Sequence, residues 1–142
     1  MSSRVLLVAS SLLFASACHA TDREPANASV ASQTDHGAKV FAQSCAKCHG
    51  NAGQGGEKAP PLVGKDALPL DPRPGQKRTQ RFHTVLDVAN FATHNMPPDE
   101  DQRAKLSERD YWAVLAFDLK ANGIELKRPL DAKLASEIVL HP

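Results

Sequence analysis

Cys45-Ala46-Lys47-Cys48-His49 constrains this chain more than any other stretch. On a helix, positions i, i+3 and i+4 share a face, so two thiols one turn apart stand beside an imidazole. Cys-x-x-Cys alone is shared by thioredoxin-like redox sites and by half of a zinc site, and zinc would need two further ligands at suitable spacing. The adjoining His49 changes the reading, because Cys-x-x-Cys-His is the attachment signal of a c-type haem. Two sulfurs at that separation can form thioethers with both vinyl groups, and the imidazole beside the second falls under the iron as proximal ligand.

The third cysteine, Cys18, belongs to a different kind of segment. Met1 to Arg4 is short and positive and Val5 to Ala17 is apolar or small, the layout of a secretory signal. Export of the chain is therefore expected, with residues 1–17 removed, or 1–20 if cleavage follows Ala20. Leu13-Phe14-Ala15-Ser16-Ala17-Cys18 also resembles a bacterial lipobox, with Ala15 where such boxes usually carry Leu. Cys18 is thus either a lipidated first residue or lost with the leader. Residues 18–33 are polar and small without periodicity and read as a flexible linker. The domain proper is expected over 34–123, with an extension over 124–142.

The remainder after the leader, about 122 to 125 of the 142 residues, suits one compact domain. Seventeen basic residues oppose sixteen acidic ones, and loss of Arg4 brings the balance to zero, which removes the basic signature of a nucleic-acid binder. Aromatic residues are only 5% of the chain, few large rings to fill a core, and a bound apolar cofactor fits that shortage. No apolar run reaches the roughly 18 to 20 residues of a membrane span, so any membrane attachment must be by an anchor.

From about Asp35 to Gly123 the sequence resembles the class I c-type cytochromes. Ahead of the cysteines, Gly37, Val40, Phe41, Ser44, Cys45 and Cys48 follow 3.6 periodicity on one face, as the first helix of that family does. The family places its Gly and aromatic, here Gly37 and Phe41, at the crossing with the last helix, where Tyr111, Val114 and Leu115 are expected to meet them. Ala59-Pro60-Pro61-Leu62-Val63-Gly64 resembles the family loop beside the proximal ligand. The resemblance implies that the Pro60 carbonyl accepts the His49 Nδ1 proton, leaving Nε2 for iron. It also places Leu62 in the haem surroundings.

Met96 in Asn95-Met96-Pro97-Pro98 is the only methionine after Met1. Proline at 97 pushes residue 96 out of helical geometry, so its thioether can project from a loop, which matches the family's distal Met-Pro signal. His94, two residues upstream, is the competing ligand, although the last turn of a helix also suits a partly cationic side chain. His36, His83 and His141 have no surrounding pattern and read as surface residues.

Phe82, Val85, Leu86 and Ala89 repeat at helical spacing, which predicts a helix over 81–94. Ser107-Glu108-Arg109-Asp110 reads as a capping-box start for a helix that Gly123 ends. In that helix Trp112 either touches the haem edge or packs in the core. Asp131 is expected to cap a short helix carrying Leu134 and Ile138 on one face, folding the tail back on the body. Arg73, Lys77, Arg78 and Arg81 form a positive cluster and Asp99-Glu100-Asp101 a negative one. Arg78 or Arg81 could pair with a haem propionate, or the patches could orient a redox partner.

The expected fold is therefore all-α, a cytochrome c-like bundle of about four to five short helices around one covalent haem c. With His49 and Met96 both on iron, no coordination position stays open, and one-electron transfer is the chemistry left. The expectation is a monomeric, exported, periplasmic carrier, not an enzyme, which meets its redox partner proteins transiently. Two alternatives stay open. One is a dedicated haem subunit of a dehydrogenase, docked through the 124–142 extension. The other is a haem sensor or peroxidase-like protein in which Met96 dissociates.

Overall fold

The computed structural model describes residues 29–76 and 78–141. The leader, Cys18, most of the expected linker and Lys77 lie outside the described residues.

The first helix, α1 (Val30–Val40), starts inside the stretch read as linker. Ser29 and Ser32 cap each other reciprocally, side chain to backbone N–H, so two orphan donors of the first turn are satisfied. Gln33 is only 3% exposed. Its amide donates to the Leu130 carbonyl at 2.9 Å and accepts from the Leu130 N–H at 2.7 Å. The linker expectation fails from Ser29 onward because a residue 97 positions away supplies the partner that makes the helix start worth ordering.

Below α1 the chain remains helical but widens into a π-helical segment, Phe41–Cys45, before tightening again into α2 (Ala46–His49). The single 3.6-period face expected from Gly37 to Cys48 is therefore displaced at the π segment: Gly37, Val40 and Phe41 are buried, Cys45 is half-buried and Cys48 is exposed. After a long loop come α3 (Val85–Asn95), the single turn α4 (Glu100–Arg103), α5 (Glu108–Ala121) and α6 (Ala132–Glu137). Counting the continuous run from Val30 to His49 once, the described residues form five helical stretches and no strand. One isolated bridge joins Thr84 to Val139.

Helix α3 begins three to four residues later than its apolar spacing suggests. Thr84 and Asp87 form a capping box there, while Phe82 just upstream is held in the loop by donating its N–H to the Leu70 carbonyl at 3.0 Å. The caps expected of Ser107 and Asp131 are both present, and Gly123, at φ 78° just past the end of α5, takes up a left-handed turn.

Helix α5 is used on three sides. Toward α1 it offers Ala113 and Phe117. An ideal Cβ on Gly37 would lie 1.9 Å from the Ala113 carbonyl oxygen, and the Phe117 ring stands 5.3 Å from that of Phe41. The crossing was expected to meet Tyr111, Val114 and Leu115; it is rotated, because only a small residue lets the two backbones approach this closely. On a second side Leu115, Ala116 and Leu119 join Phe82, Val85, Val88, Ala89, Leu130 and Ala135 in the core. The tail contributes the last two of these and is tied to α3 by Val85 N–H donating to the Ile138 carbonyl (3.1 Å) and Leu140 N–H to that of His83 (2.8 Å). The third side, Tyr111, Val114, Asp118 and Asn122, at spacings of three, four and four, lies along one face and turns toward the site.

Candidate functional site

Cys45 and Cys48 are free thiols at successive turns. His49, at the end of α2, is 8% exposed, and its Nδ1 lies 2.8 Å from the Pro60 carbonyl oxygen. A carbonyl can only accept, so Nδ1 carries the proton and Nε2 is the atom left for a metal. The loop supplying that carbonyl is fixed from both ends. Leu62 and Val63 donate their N–H groups to the Gly53 carbonyl at 2.8 and 3.0 Å. At the C-cap of α5, the Asn122 amide donates to the Leu62 carbonyl at 2.8 Å and accepts from Gly64 N–H at 3.0 Å.

Met96 closes α3 in an extended conformation, φ −125° and ψ 136°, as Pro97 demands. Its carbonyl accepts from the Tyr111 hydroxyl at 2.7 Å, and the next carbonyl, of Pro97, accepts from Arg103 Nη1 at 2.8 Å. The same face of α5 therefore holds the Met96 loop through Tyr111 and the Pro60–Gly64 loop through Asn122. His94 is exposed, with its ring Nδ1 2.8 Å from the Asn90 carbonyl, so it is engaged on its own helix.

Burial governs the protonation of two groups here. Burial first, then Asp118 and Cys48, push the Cys45 thiol up to about 12, which keeps it a neutral thiol. Asp118 is itself pushed up to about 8 by burial.

Other expected contacts fall elsewhere. Arg78 is 6% exposed and spends its terminal nitrogens on the carbonyls of Pro69 (2.9 Å), Leu70 (3.2 Å), Asp71 (2.6 Å) and Gln80 (2.6 Å). Its guanidinium also lies 3.8 Å from the Phe82 ring centre. The propionate expectation for Arg78 thus gives way to a loop-organising role, since a guanidinium offers only five N–H donors. Arg81 reaches Asp71 at 2.8 Å on the surface. Trp112 donates to Glu108 at 3.0 Å and packs against the Phe82–Val85 core, the core-packing alternative. Asp99 caps α4 by accepting from Gln102 N–H at 2.9 Å, which gives part of the acidic cluster a local task. Asp118 was missed. The signal was present in its spacing of seven from Tyr111, but a carboxylate within an apolar face has no reading without the fold.

Among the described residues no group of three or more His, Cys, Asp or Glu side chains could hold a bare metal ion, so the two further ligands zinc needs are not assembled. Two thiols for thioethers, an oriented imidazole and a methionine on a pinned loop fit a haem c instead.

A helical chain with this donor set is a c-type cytochrome domain. The family model described as "Cytochrome C oxidase, cbb3-type, subunit III" matches residues 32–117, and the chain belongs to that family, which implies a haem c cofactor. It is 33% identical over 103 residues to a thiosulfate dehydrogenase of Stutzerimonas stutzeri, covering 69% of this chain and 29% of that protein. It also superposes on the sulfane dehydrogenase SoxCD of Paracoccus pantotrophus at TM-score 0.56 and 30% identity, over 75% of this chain and 52% of that one. The chain thus spans about a third to a half of these proteins. No helix among the described residues is long and apolar enough to cross a membrane.

Proposed function

We propose that this chain holds one haem c through Cys45 and Cys48, with His49 Nε2 and the Met96 thioether as axial ligands, and serves as a one-electron carrier and not as an enzyme. The observation that carries the reading is the His49 Nδ1 to Pro60 carbonyl bond at 2.8 Å, which fixes the tautomer and orientation of the imidazole. Haem held there supplies reversible one-electron transfer. The chain's own part is to fix the proximal tautomer, to hold the Met96 loop through Tyr111 and Arg103, and to keep water from the buried side of Cys45. Pro60 and Leu62 frame the proximal side, and Arg81 remains on the surface beside Asp71.

The printed names of both relatives support a donor that oxidises reduced sulfur compounds. They also favour a second reading, a haem subunit docked on such a dehydrogenase. Docking through the 124–142 extension would use its outer face, since Leu130 and Ala135 pack into this chain's own core while Val139 stays exposed. Residues 1–17, read as an export signal, support a periplasmic protein, free or tethered at Cys18.

The deciding experiment is the optical spectrum of the purified protein, oxidised, reduced, and reduced under carbon monoxide. A low-spin c-type spectrum with the far-red methionine band, unmoved by carbon monoxide, is expected. A clear carbon monoxide shift in the native protein overturns the carrier reading. The variant carrying both Cys45→Ala and Cys48→Ala should lose covalent haem. Mass analysis of the mature amino terminus decides Cys18, and size measurement with co-purification separates a free monomer from a docked subunit.

A further inference from the structure

The face that α5 turns toward the site carries one group electron transfer alone does not use. Asp118 stands between Tyr111, which holds the Met96 loop, and Asn122, which holds the Leu62–Gly64 loop. It is 4% exposed, and its Oδ1 has no hydrogen-bond partner among the described residues. Its charge reaches the Cys45 thiol, where a porphyrin edge would be bonded.

Among the described residues, the charged groups on the elements packed around it are exposed or engaged with other partners. On α1, His36 is 2.6 Å from Asp110, and Asp35 and Lys39 are exposed. From the π segment and α2 come Cys45, Cys48, the exposed Lys47 and His49, whose Nδ1 is committed to Pro60. On α3, Asp87 is committed to the cap with Thr84 and His94 is exposed. On α5, Lys120 is exposed and Asp110 sits in the cap with Ser107. An isolated carboxylate in such surroundings is costly, and its protonation state responds to any nearby change of one charge.

We propose that Asp118 is a redox-linked proton site, which takes a proton from solvent when an electron enters the haem site and releases it when the electron leaves. The balance is one electron from a one-electron donor protein and one proton from water for the carboxylate-to-acid step, both returned on reoxidation. Only the carboxyl O–H bond forms and breaks. Because linkage is reciprocal, whatever factor the electron adds to proton affinity the proton adds to electron affinity. Burial already holds Asp118 near 8, so the coupling falls close to neutral pH. The inference rests on the haem reading above.

The test is a spectroelectrochemical titration of the haem-loaded full chain against pH, for the native protein and for Asp118→Asn. In the native protein the reduction equilibrium should shift by up to tenfold per pH unit, about 59 mV for one electron, within a window around the Asp118 titration. In Asp118→Asn that slope should be absent over the same range while the low-spin spectrum is kept. Equal slopes in both overturn the proposal. Should the variant not fold, redox-difference infrared spectra of the native protein decide: a protonated carboxylic-acid carbonyl band should gain intensity on reduction, and its absence overturns the proposal. A native chain with no covalent low-spin haem overturns the haem reading first, whereas an intact spectrum with equal slopes removes only the role of Asp118.

Discussion

The Tyr111 hydroxyl donates to the Met96 carbonyl at 2.7 Å, so the first turn of α5 holds the loop that carries the only methionine after Met1. Burial raises the Tyr111 phenol above its ordinary range, which keeps it a donor well into alkaline pH. Removing the hydroxyl with Tyr111→Phe leaves the ring in place and costs one hydrogen bond, about 1 kcal/mol. The expected outcome is a slightly lower Tm and loss of the far-red methionine band at a lower temperature than in the native protein. A band that survives as long as the native one would show that Tyr111 does not restrain Met96.

Met96→Ala should leave haem attached, since the thioethers and His49 are untouched, but open one iron position. Carbon monoxide binding to the reduced protein is the readout. An unchanged spectrum on gas addition would return the sixth position to another residue, of which His94 is the first to test by His94→Ala.

What the sequence made legible was what short-range rules determine. The Ser107 and Asp131 caps and the extended Met96 before Pro97 each need only a few neighbours, and all are present as expected. What it hid depends on distant partners. Gln33 looks like linker until Leu130 arrives from 97 residues away, and Arg78 looks like an anion ligand until four loop carbonyls surround it. The rotation that brings Phe117 rather than Leu115 to Phe41 follows from how closely two backbones approach at Gly37, which periodicity does not report.

That approach makes Gly37→Ala a severe change. The added Cβ would fall 1.9 Å from a backbone oxygen, and neither helix has a flexible side chain there to move aside. Overpacking of this kind costs about 3 kcal/mol, enough to lower the urea midpoint markedly and to weaken the packing of Phe41 against Phe117. A midpoint within error of the native value would mean the crossing is looser than the structure has it.

Gln33→Ala tests whether the tail is part of the fold. Both of its bonds to Leu130 are buried, so truncation leaves an N–H and a carbonyl without partners, at about 1 to 3 kcal/mol. Limited proteolysis should then cut within 124–142 before the body. If the tail stays as resistant as in the native chain, its anchorage rests on Ala135 and the Thr84–Val139 bridge instead.

Asp110 gives the acid limb of stability. Burial pulls its carboxyl up, but the Ser107 backbone N–H, the Ser107 hydroxyl and His36 together hold it below the ordinary aspartate value. A carboxylate whose folded pKa is depressed contributes its full stabilisation above its unfolded pKa, about 3.9, and loses it as pH falls through the lower folded value. At neutral pH the same group caps α5, bonding Ser107 N–H at 2.9 Å, and reaches His36 of α1 at 2.6 Å. Asp110→Asn should therefore cost about 1 kcal/mol at pH 7 and less at an acid pH well below the ordinary aspartate value, once the native carboxyl takes up its proton. Urea midpoints of both proteins at the two pH values give the comparison, and a gap that stays constant between them would mean the cap and the His36 contact do not depend on the Asp110 charge.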